Sequence, residues 1–141
     1  LQKMSRCHIA LIVSYFWCCF FSGLTAGDSI TSVNNQVIGT EGEYVTLNCT
    51  YETSSDYPWL YWYRQYPNQA PQFILYKGAN GETDGEFKNR FHAHLNVTTK
   101  SVPLTIQGLQ LSDSAVYYCA LRPTVTTGYT AVIQKLCVHV F

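Results

Sequence analysis

The sequence lacks the features on which several functional classes depend. Nine basic residues are matched by nine acidic ones, so the zero net charge indicates neither nucleic acid nor an anionic membrane surface as a partner. The chain has no glycine-rich phosphate loop, no nucleophile-elbow motif and no Cys-x-x-Cys pair. It also has no internal repeats, which a structural matrix protein would need. We therefore predict a protein that is not an enzyme and has no cofactor.

A metal site has one weak signal in the chain. His92 and His94 flank Ala93, so on a strand the two imidazoles would share a face. No third ligand stands nearby, and a protein zinc site needs at least three. Two exposed strand residues are the preferred interpretation, and no metal is predicted.

The chain also lacks a convincing amphipathic helix, whereas short alternating stretches recur between turn-forming clusters. This pattern predicts an all-β domain. Alternation assigns His92, His94 and Asn96 to the outer surface. The residues that alternation and composition assign to the core are Val45, Leu47, Cys49, Leu60, Trp62, Phe91, Ala93, Leu95, Val97, Val102, Leu104, Ile106 and Tyr117.

The N-terminal segment has the pattern of a secretory signal peptide. Arg6 precedes an apolar run from Ile9 to Phe21, and small residues ending at Ala26 follow it. We predict residues 1–26 as the signal peptide, with Leu1–Lys3 as upstream residues because Met4 is the only methionine. A buried strand or an uncleaved anchor is the alternative. Secretion would expose the cysteines to an oxidising compartment.

Three residues in the patterned body have the spacing of an immunoglobulin sandwich, in which two cysteines flank a core tryptophan. These are Cys49, Trp62 and Cys119. A disulfide between Cys49 and Cys119 would stabilise the fold by about 4 kcal/mol in the chain-entropy model. Two free buried thiols are the alternative. Tyr117, two residues before the second cysteine, is placed to form a tyrosine corner.

Two further pairs of residues carry predictions about the surface. Arg90 and Asp113 are candidates for an ion pair at the base of the sandwich, with two solvated charges as the alternative. Asn48 and Asn96 each begin an Asn-x-Thr sequon and are predicted at outward-facing positions, where N-glycosylation is feasible. Cys49 adjoins the first sequon, which is expected to slow its modification.

Three segments together resemble a T-cell receptor variable domain, most closely of the alpha type, which overlaps with delta. They are WYRQYP at 62–67, LTI at 104–106 and LSDSAVYYCALR at 111–122. The resemblance implies an immunoglobulin V-set domain over residues 27–122, an all-β V-type sandwich. It also implies antigen recognition, with peptide presented by a major histocompatibility (MHC) molecule. An antibody light-chain variable segment, or a V-set domain of an innate immune or adhesion receptor, is the alternative.

The resemblance also assigns surfaces and partners. The sheet containing Trp62 would pack on a beta-chain variable domain through Tyr61, Tyr63, Gln65, Pro71 and Tyr118. Three loops would contact antigen, through Ser54, Ser55, Asp56, Tyr57, Lys77, Gly78, Ala79, Asn80, Leu121 and Arg122. The complete receptor would stand outside the plasma membrane and engage the CD3 signalling subunits through constant and transmembrane regions that this sequence lacks.

The tail, residues 123–141, departs from the family because it lacks the Phe-Gly-x-Gly of a joining segment. Pro123–Val125 can be encoded with the heptamer CACAGTG, and Ile133–Leu136 with a nonamer-like sequence. The codons between them match the long spacer of a recombination signal. We therefore interpret the chain as an unrearranged germline segment with a translated signal, an unusual natural C-terminus being the alternative. The final strand would be absent, leaving an aggregation-prone edge, or replaced by Gly128–Ile133 of the tail.

Overall fold

The structure, a computed structural model, describes residues 28–81, 83–85, 89–122 and 132–140. The predicted signal peptide lies outside the described residues, as do residues 123–131 of the tail. Regular helix in the described part is limited to a 3-10 turn at Leu111–Asp113. The strands are β1 Ser29–Ser32, β2 Gln36–Gly39, β3 Val45–Leu47, β4 Cys49–Glu52, β5 Trp59–Gln65, β6 Gln72–Gly78, β7 Thr83–Gly85, β8 Phe91–Ala93, β9 Leu104–Ile106, β10 Ala115–Leu121 and β11 Val132–Val140.

The strands form the two layers of a β-sandwich, which confirms the predicted fold. One layer is a six-stranded sheet in the order β2-β11-β10-β5-β6-β7. The other contains the three-stranded sheet β3-β9-β8 and the pair β1-β4. Only Asn48 separates β3 from β4, and a bridge between Thr50 and Ser101 continues the second layer across that break. Both layers turn one apolar face inward, as two packed sheets require.

A disulfide joins the layers at the centre of the core. Cys49 of β4 and Cys119 of β10 are bonded, with a Cα–Cα distance of 6.7 Å. Both are fully buried, as is Trp62, which lies opposite Cys119 in the β5–β10 register. The predicted core residues Leu104 and Tyr117 are also fully buried. The core therefore has the cysteine–tryptophan–cysteine arrangement that the spacing predicts.

Alternation fails for one predicted core residue. Val97 is 55% exposed, because β8 ends at Ala93 and the chain then turns through residues 97–100. Lys100 has a positive φ of 50° in this turn, which an uninterrupted strand does not contain. The prediction that Val97 packs inward is therefore wrong, whereas Ala93 and Leu95 do pack against the core.

The tail supplies the last strand of the six-stranded sheet. β11 pairs antiparallel with the whole of β10 and parallel with β2, and Val138 and Val140 are buried in the core. The edge of β10 is therefore covered, as predicted for a tail that replaces the final strand. The position differs from the prediction, since the strand starts at Val132 and only Val132 and Ile133 of the predicted segment belong to it. Gly128 to Ala131 lie outside the described residues.

The base of the sandwich is fixed by a buried carboxylate. Asp113 is 1% exposed and forms an ion pair with Arg90, as predicted. Its Oδ2 accepts a hydrogen bond from the Gln110 backbone N–H at 2.8 Å, and its Oδ1 lies 3.9 Å from Arg64 Nη1. The Tyr117 hydroxyl donates to the Asp113 carbonyl oxygen at 3.0 Å, which is the predicted tyrosine corner. Burial of Tyr117, followed by the negative charge of Asp113, raises the pKa of its hydroxyl well above the usual range.

Candidate functional site

Aromatic side chains cover the outer surface of β5, β6 and β10, on the side of the sheet away from the core. Each of these side chains is partly exposed in the isolated chain, unlike the fully buried side chains of the core. We call this surface the aromatic face, and it consists of Trp59, Tyr61, Tyr63, Phe73, Tyr76 and Tyr118. Tyr61, Tyr63 and Tyr118 were predicted to lie here, whereas Trp59, Phe73 and Tyr76 were not.

A β-bulge explains why the sequence pattern missed two of these residues. Trp62 pairs with Leu75 and Tyr63 pairs with Phe73, so Ile74 is an extra residue in β6. Ile74 and Leu75 are both buried as a result, and strict alternation is lost between them. Phe73 and Tyr76 then both face outward although they are three positions apart. No feature of the sequence read with period 2 would have placed these two rings on one surface.

The rings of the aromatic face pack against one another across the strands. The Tyr61 and Tyr76 ring centroids lie 5.8 Å apart, and those of Tyr63 and Phe73 lie 5.8 Å apart with an edge-on geometry. Trp59 stacks on Tyr76 at 5.2 Å. These contacts restrict the rotamers of the rings, so little side-chain entropy would be lost if another protein covered them.

Gln65 supplies the polar group at one end of the aromatic face. Its Oε1 accepts a hydrogen bond from the Tyr118 hydroxyl at 2.8 Å, and its Nε2 donates to the Gln69 carbonyl oxygen at 2.9 Å. Both ends of the amide are thus engaged within the chain, and its pairing across a dimer axis stays a prediction. Pro71 is exposed between Gln69 and β6, at the rim of this surface.

Two tyrosine hydroxyls of this surface, those of Tyr63 and Tyr118, have a raised pKa. Burial raises the pKa of Tyr118, and burial followed by the neighbouring Tyr61 raises the pKa of Tyr63. Apart from Arg122, whose Cζ lies 5.8 Å from the Trp59 ring centroid near the loops, this surface presents apolar rings with hydroxyl and amide groups. That combination is typical of the well-packed centre of a protein–protein interface.

The predicted recognition loops meet at one end of the sandwich. The first loop, residues 53–58, connects β4 to β5, and the second, residues 77–81, spans the end of β6 and the turn before β7. They are joined by a hydrogen bond from the Ala79 N–H to the Pro58 carbonyl oxygen at 3.0 Å. The N–H of Arg122, where the third loop begins, donates to the Trp59 carbonyl oxygen at 2.9 Å. We call this surface the loop end.

Most of the predicted contact residues are accessible at the loop end. Tyr57 is 70% exposed, and Ser54, Asp56, Asn80 and Arg122 are exposed as well. The remaining accessible members are partly buried, namely Ser55, Lys77 and Ala79.

Two members of the predicted loop set do not reach the surface. Leu121 is 1% exposed because it is the last residue of β10 and packs in the core. Gly78 is buried because it still pairs with Trp59 in the β5–β6 ladder. The strands thus extend further toward the loop end than the turn residues of the sequence indicate. The prediction that Leu121 and Gly78 are exposed for contact with antigen is therefore wrong.

The two sequon asparagines have different environments. Both were predicted to face outward, but neither is fully exposed. Both are partly buried. The Asn48 Oδ1 is buried without a hydrogen-bond partner. The Asn96 Oδ1 accepts hydrogen bonds from the N–H groups of Thr98 and Thr99, each at 3.0 Å.

The described ranges contain no candidate for a metal site or a membrane-spanning helix. No group of three or more histidine, cysteine, aspartate or glutamate side chains could hold a metal ion there, and His92 and His94 are simply exposed. Across the same residues, no helix has the length and apolar character needed to cross a membrane.

Comparison with known proteins places these surfaces in a family. Residues 32–139 match the model of the immunoglobulin V-set domain, and this match extends through most of the tail. The chain is 44% identical to human T cell receptor alpha variable 18 over 98 residues, which are 70% of this chain and 85% of the relative. It is 42% identical to human T cell receptor alpha variable 9-2 over 99 residues, covering 70% and 86%. A mouse relative, T-cell receptor alpha chain V region CTL-F3, is 44% identical over 95 residues, covering 67% and 70%.

Proposed function

Because the chain belongs to the immunoglobulin V-set family and, within it, to the T-cell receptor alpha variable domains, we propose that it recognises antigen as half of a receptor. Its aromatic face pairs with a beta-chain variable domain, and its loop end contacts peptide presented by an MHC molecule. The observation that carries this proposal is the aromatic face itself, which is half-exposed in the isolated chain and built of rings that pack against one another.

The loop end supports the second half of the proposal by its composition and position. Ser54, Ser55 and Asn80 supply adaptable hydrogen-bonding groups, and Tyr57 supplies a large exposed ring. The first two loops are joined by a backbone hydrogen bond, and Arg122 bonds to Trp59 at the adjoining start of β5, so these described residues lie at one end of the sandwich. In the complete receptor this domain stands outside the plasma membrane, and constant and membrane-spanning regions join it to the CD3 signalling subunits.

The pairing is tested by placing a charge in the centre of the aromatic face. Tyr63→Glu would bury an unpaired carboxylate against the partner, so affinity for a beta-chain variable domain should fall about tenfold or more. His92→Glu, on the exposed surface of the opposite layer, is the matched control and should leave the affinity unchanged. Dissociation constants from analytical ultracentrifugation measure both. Pairing of the Tyr63 variant with wild-type affinity, at unchanged thermal stability, would refute this use of the face.

For the tail, the proposal is that residues 123–141 are a translated recombination signal, so that the chain is the product of a germline segment. Codon choices that contain the heptamer and the nonamer-like sequence at the required spacing support it. The genomic nucleotides are the test. A gene in which CACAGTG does not follow the Arg122 codon region would end the proposal, and the receptor assignment would stand without it.

A further inference from the structure

One sequon begins at Asn96, just before the turn at residues 97–100, and the other begins at Asn48, the single residue between β3 and β4. The two asparagines have different surroundings. We propose that Asn96 is the N-glycosylated residue of this domain and that Asn48 is not modified in the folded protein. The glycan then stands on the layer opposite the aromatic face, beside the first recognition loop.

Asn96 has the geometry that a glycan needs. Its Oδ1 accepts hydrogen bonds from the N–H groups of Thr98 and Thr99, which holds the side-chain amide with its oxygen toward the turn. The Nδ2 on the same amide carbon therefore points away from the turn backbone. Residues 97–100 are all exposed, so no packed side chains stand over this position within the turn. A sugar on Nδ2 leaves both Oδ1 hydrogen bonds in place.

Asn48 lacks the hydrogen bonds that orient the Asn96 amide, and its surroundings are more enclosed. Its Oδ1 is buried without a partner, and its neighbours Leu47 and Cys49 are fully buried. Its carbonyl oxygen accepts a hydrogen bond from the Val33 N–H at 2.9 Å, which holds the backbone in place. A glycan on Nδ2 would bring its first sugar against a place where the Oδ1 of the same amide is enclosed by protein. The next residue, Cys49, must also form the disulfide with Cys119, and we expect that step to compete with modification of Asn48.

The surroundings of the turn leave space for a carbohydrate. A shallow open groove runs beside it, lined mostly by hydroxyl-bearing residues of β1, β4 and the turn: Ser29, Thr31, Thr50, Tyr51, Thr98 and Thr99. Lys100 also lines the groove, and its Nζ lies 2.6 Å from Glu52 Oε2 in an ion pair. Glu52 is the last residue of β4 and immediately precedes the first loop. The glycan thus flanks the loop end, while the six-stranded sheet stays uncovered for a partner.

The covalent step uses a donor that the secretory pathway supplies, a lipid pyrophosphate-linked oligosaccharide. The Asn96 Nδ2 forms a bond to the anomeric carbon of the first sugar and loses one proton. The bond between that carbon and the phosphate oxygen breaks, and the lipid pyrophosphate leaves. No electrons are transferred.

Peptide mapping by mass spectrometry tests the proposal on the full chain made in mammalian cells, once with its own N-terminus and once with a cleaved secretory leader before Asp28. The oxidised Cys49–Cys119 bond identifies molecules that entered the oxidising compartment. We expect one glycan, on the peptide that contains Asn96. Thr98→Ala should lose it, whereas Thr99→Ala in the same turn and Thr50→Val in the other sequon should keep it.

Two results would overturn the proposal. One is an oxidised chain whose Asn96 peptide is unmodified in the wild type. The other is a glycan on the Asn48 peptide that survives in Thr98→Ala and disappears in Thr50→Val. Because occupancy is measured on peptides, neither result depends on whether a variant folds well, and neither bears on pairing with a beta chain.

Discussion

The base and the loop end of this sandwich are held by different kinds of interaction. At the base, Asp113 is 1% exposed and bonds to groups from several separate parts of the chain. At the loop end, neighbouring segments are joined by backbone hydrogen bonds and by the Lys100–Glu52 ion pair, whose side chains are 46% and 64% exposed. The base therefore depends on particular side chains, whereas the loop end depends mainly on backbone geometry and can accept many different side chains.

The largest effect is expected from removing the buried carboxylate. Asp113→Ala leaves Arg64, whose side chain is 10% exposed, without its acidic neighbour, and should lower the free energy of unfolding by about 3 kcal/mol. Asp56→Ala is the loop-end control, because Asp56 is exposed, and should change stability by less than about 0.5 kcal/mol. Urea denaturation measures both. Equal effects at the two positions would contradict the distinction between the two ends.

A smaller effect is expected from removing one hydroxyl at the base. Tyr117→Phe deletes the donor to the Asp113 carbonyl oxygen in a fully buried position and should destabilise the domain by about 1 kcal/mol. Tyr57→Phe removes a hydroxyl from a side chain that is 70% exposed at the loop end, so its unfolding midpoint should not move. If the two variants had the same unfolding midpoint, the tyrosine corner would contribute nothing measurable to stability.

A pH above about 10 should weaken the base. The pKa of Tyr117 is raised in the folded state, mainly by burial, so the unfolded chain releases this proton first as the pH rises. The stabilisation is complete below about 10, the pKa of an ordinary tyrosine, and is lost as the pH rises above that value. Denaturation between pH 9 and about 11 should show a falling stability with a shallower slope in Tyr117→Phe. An identical slope in that variant would assign the loss to the other tyrosines whose pKa burial raises.

The smallest effect is expected at the exposed ion pair. Lys100→Ala should change the free energy of unfolding by less than about 0.5 kcal/mol, because water and salt screen both partners. A double-mutant cycle with Glu52→Ala isolates the pair, and added salt should reduce even this small coupling energy. A coupling above about 1 kcal/mol would show that the loop end also depends on specific side chains.

The sequence predicted the sandwich well because period 2 and the cysteine–tryptophan–cysteine spacing both reflect local geometry. Leu47, Trp62 and Leu104 are buried where alternation places them. The prediction failed where the backbone departs from a regular strand. The extra residue Ile74 moved Phe73 and Tyr76 onto one face, and the turn after β8 carried Val97 into solvent. The extra residue Ile74 has no marker in its residue type, whereas Asn96 is a turn-forming residue whose side chain bonds to the backbone of the turn that follows it.

The candidate site was predictable to the extent that it lies on regular strands. Tyr61, Tyr63 and Tyr118 follow from alternation around Trp62 and Cys119, whereas Leu121 and Gly78 were misplaced because the turn residues do not mark where hydrogen bonding ends. The environment of Asn48 depends on packing between strands that are distant in sequence, whereas the Asn96 side chain is held by N–H groups two and three positions later. A motif search treats the two sequons alike, and only the three-dimensional contacts distinguish them.

The position of β11 between β10 and β2 has a consequence for how such a domain can be assembled. Both neighbours hold this strand through ladders of main-chain N–H and C=O groups, one antiparallel and one parallel. Main-chain groups are the same in every residue except proline. The slot between β10 and β2 can therefore hold any strand that is extended and has a few apolar side chains facing inward. A domain whose last strand is held in this way can therefore accept different final segments without redesign of the rest of the fold.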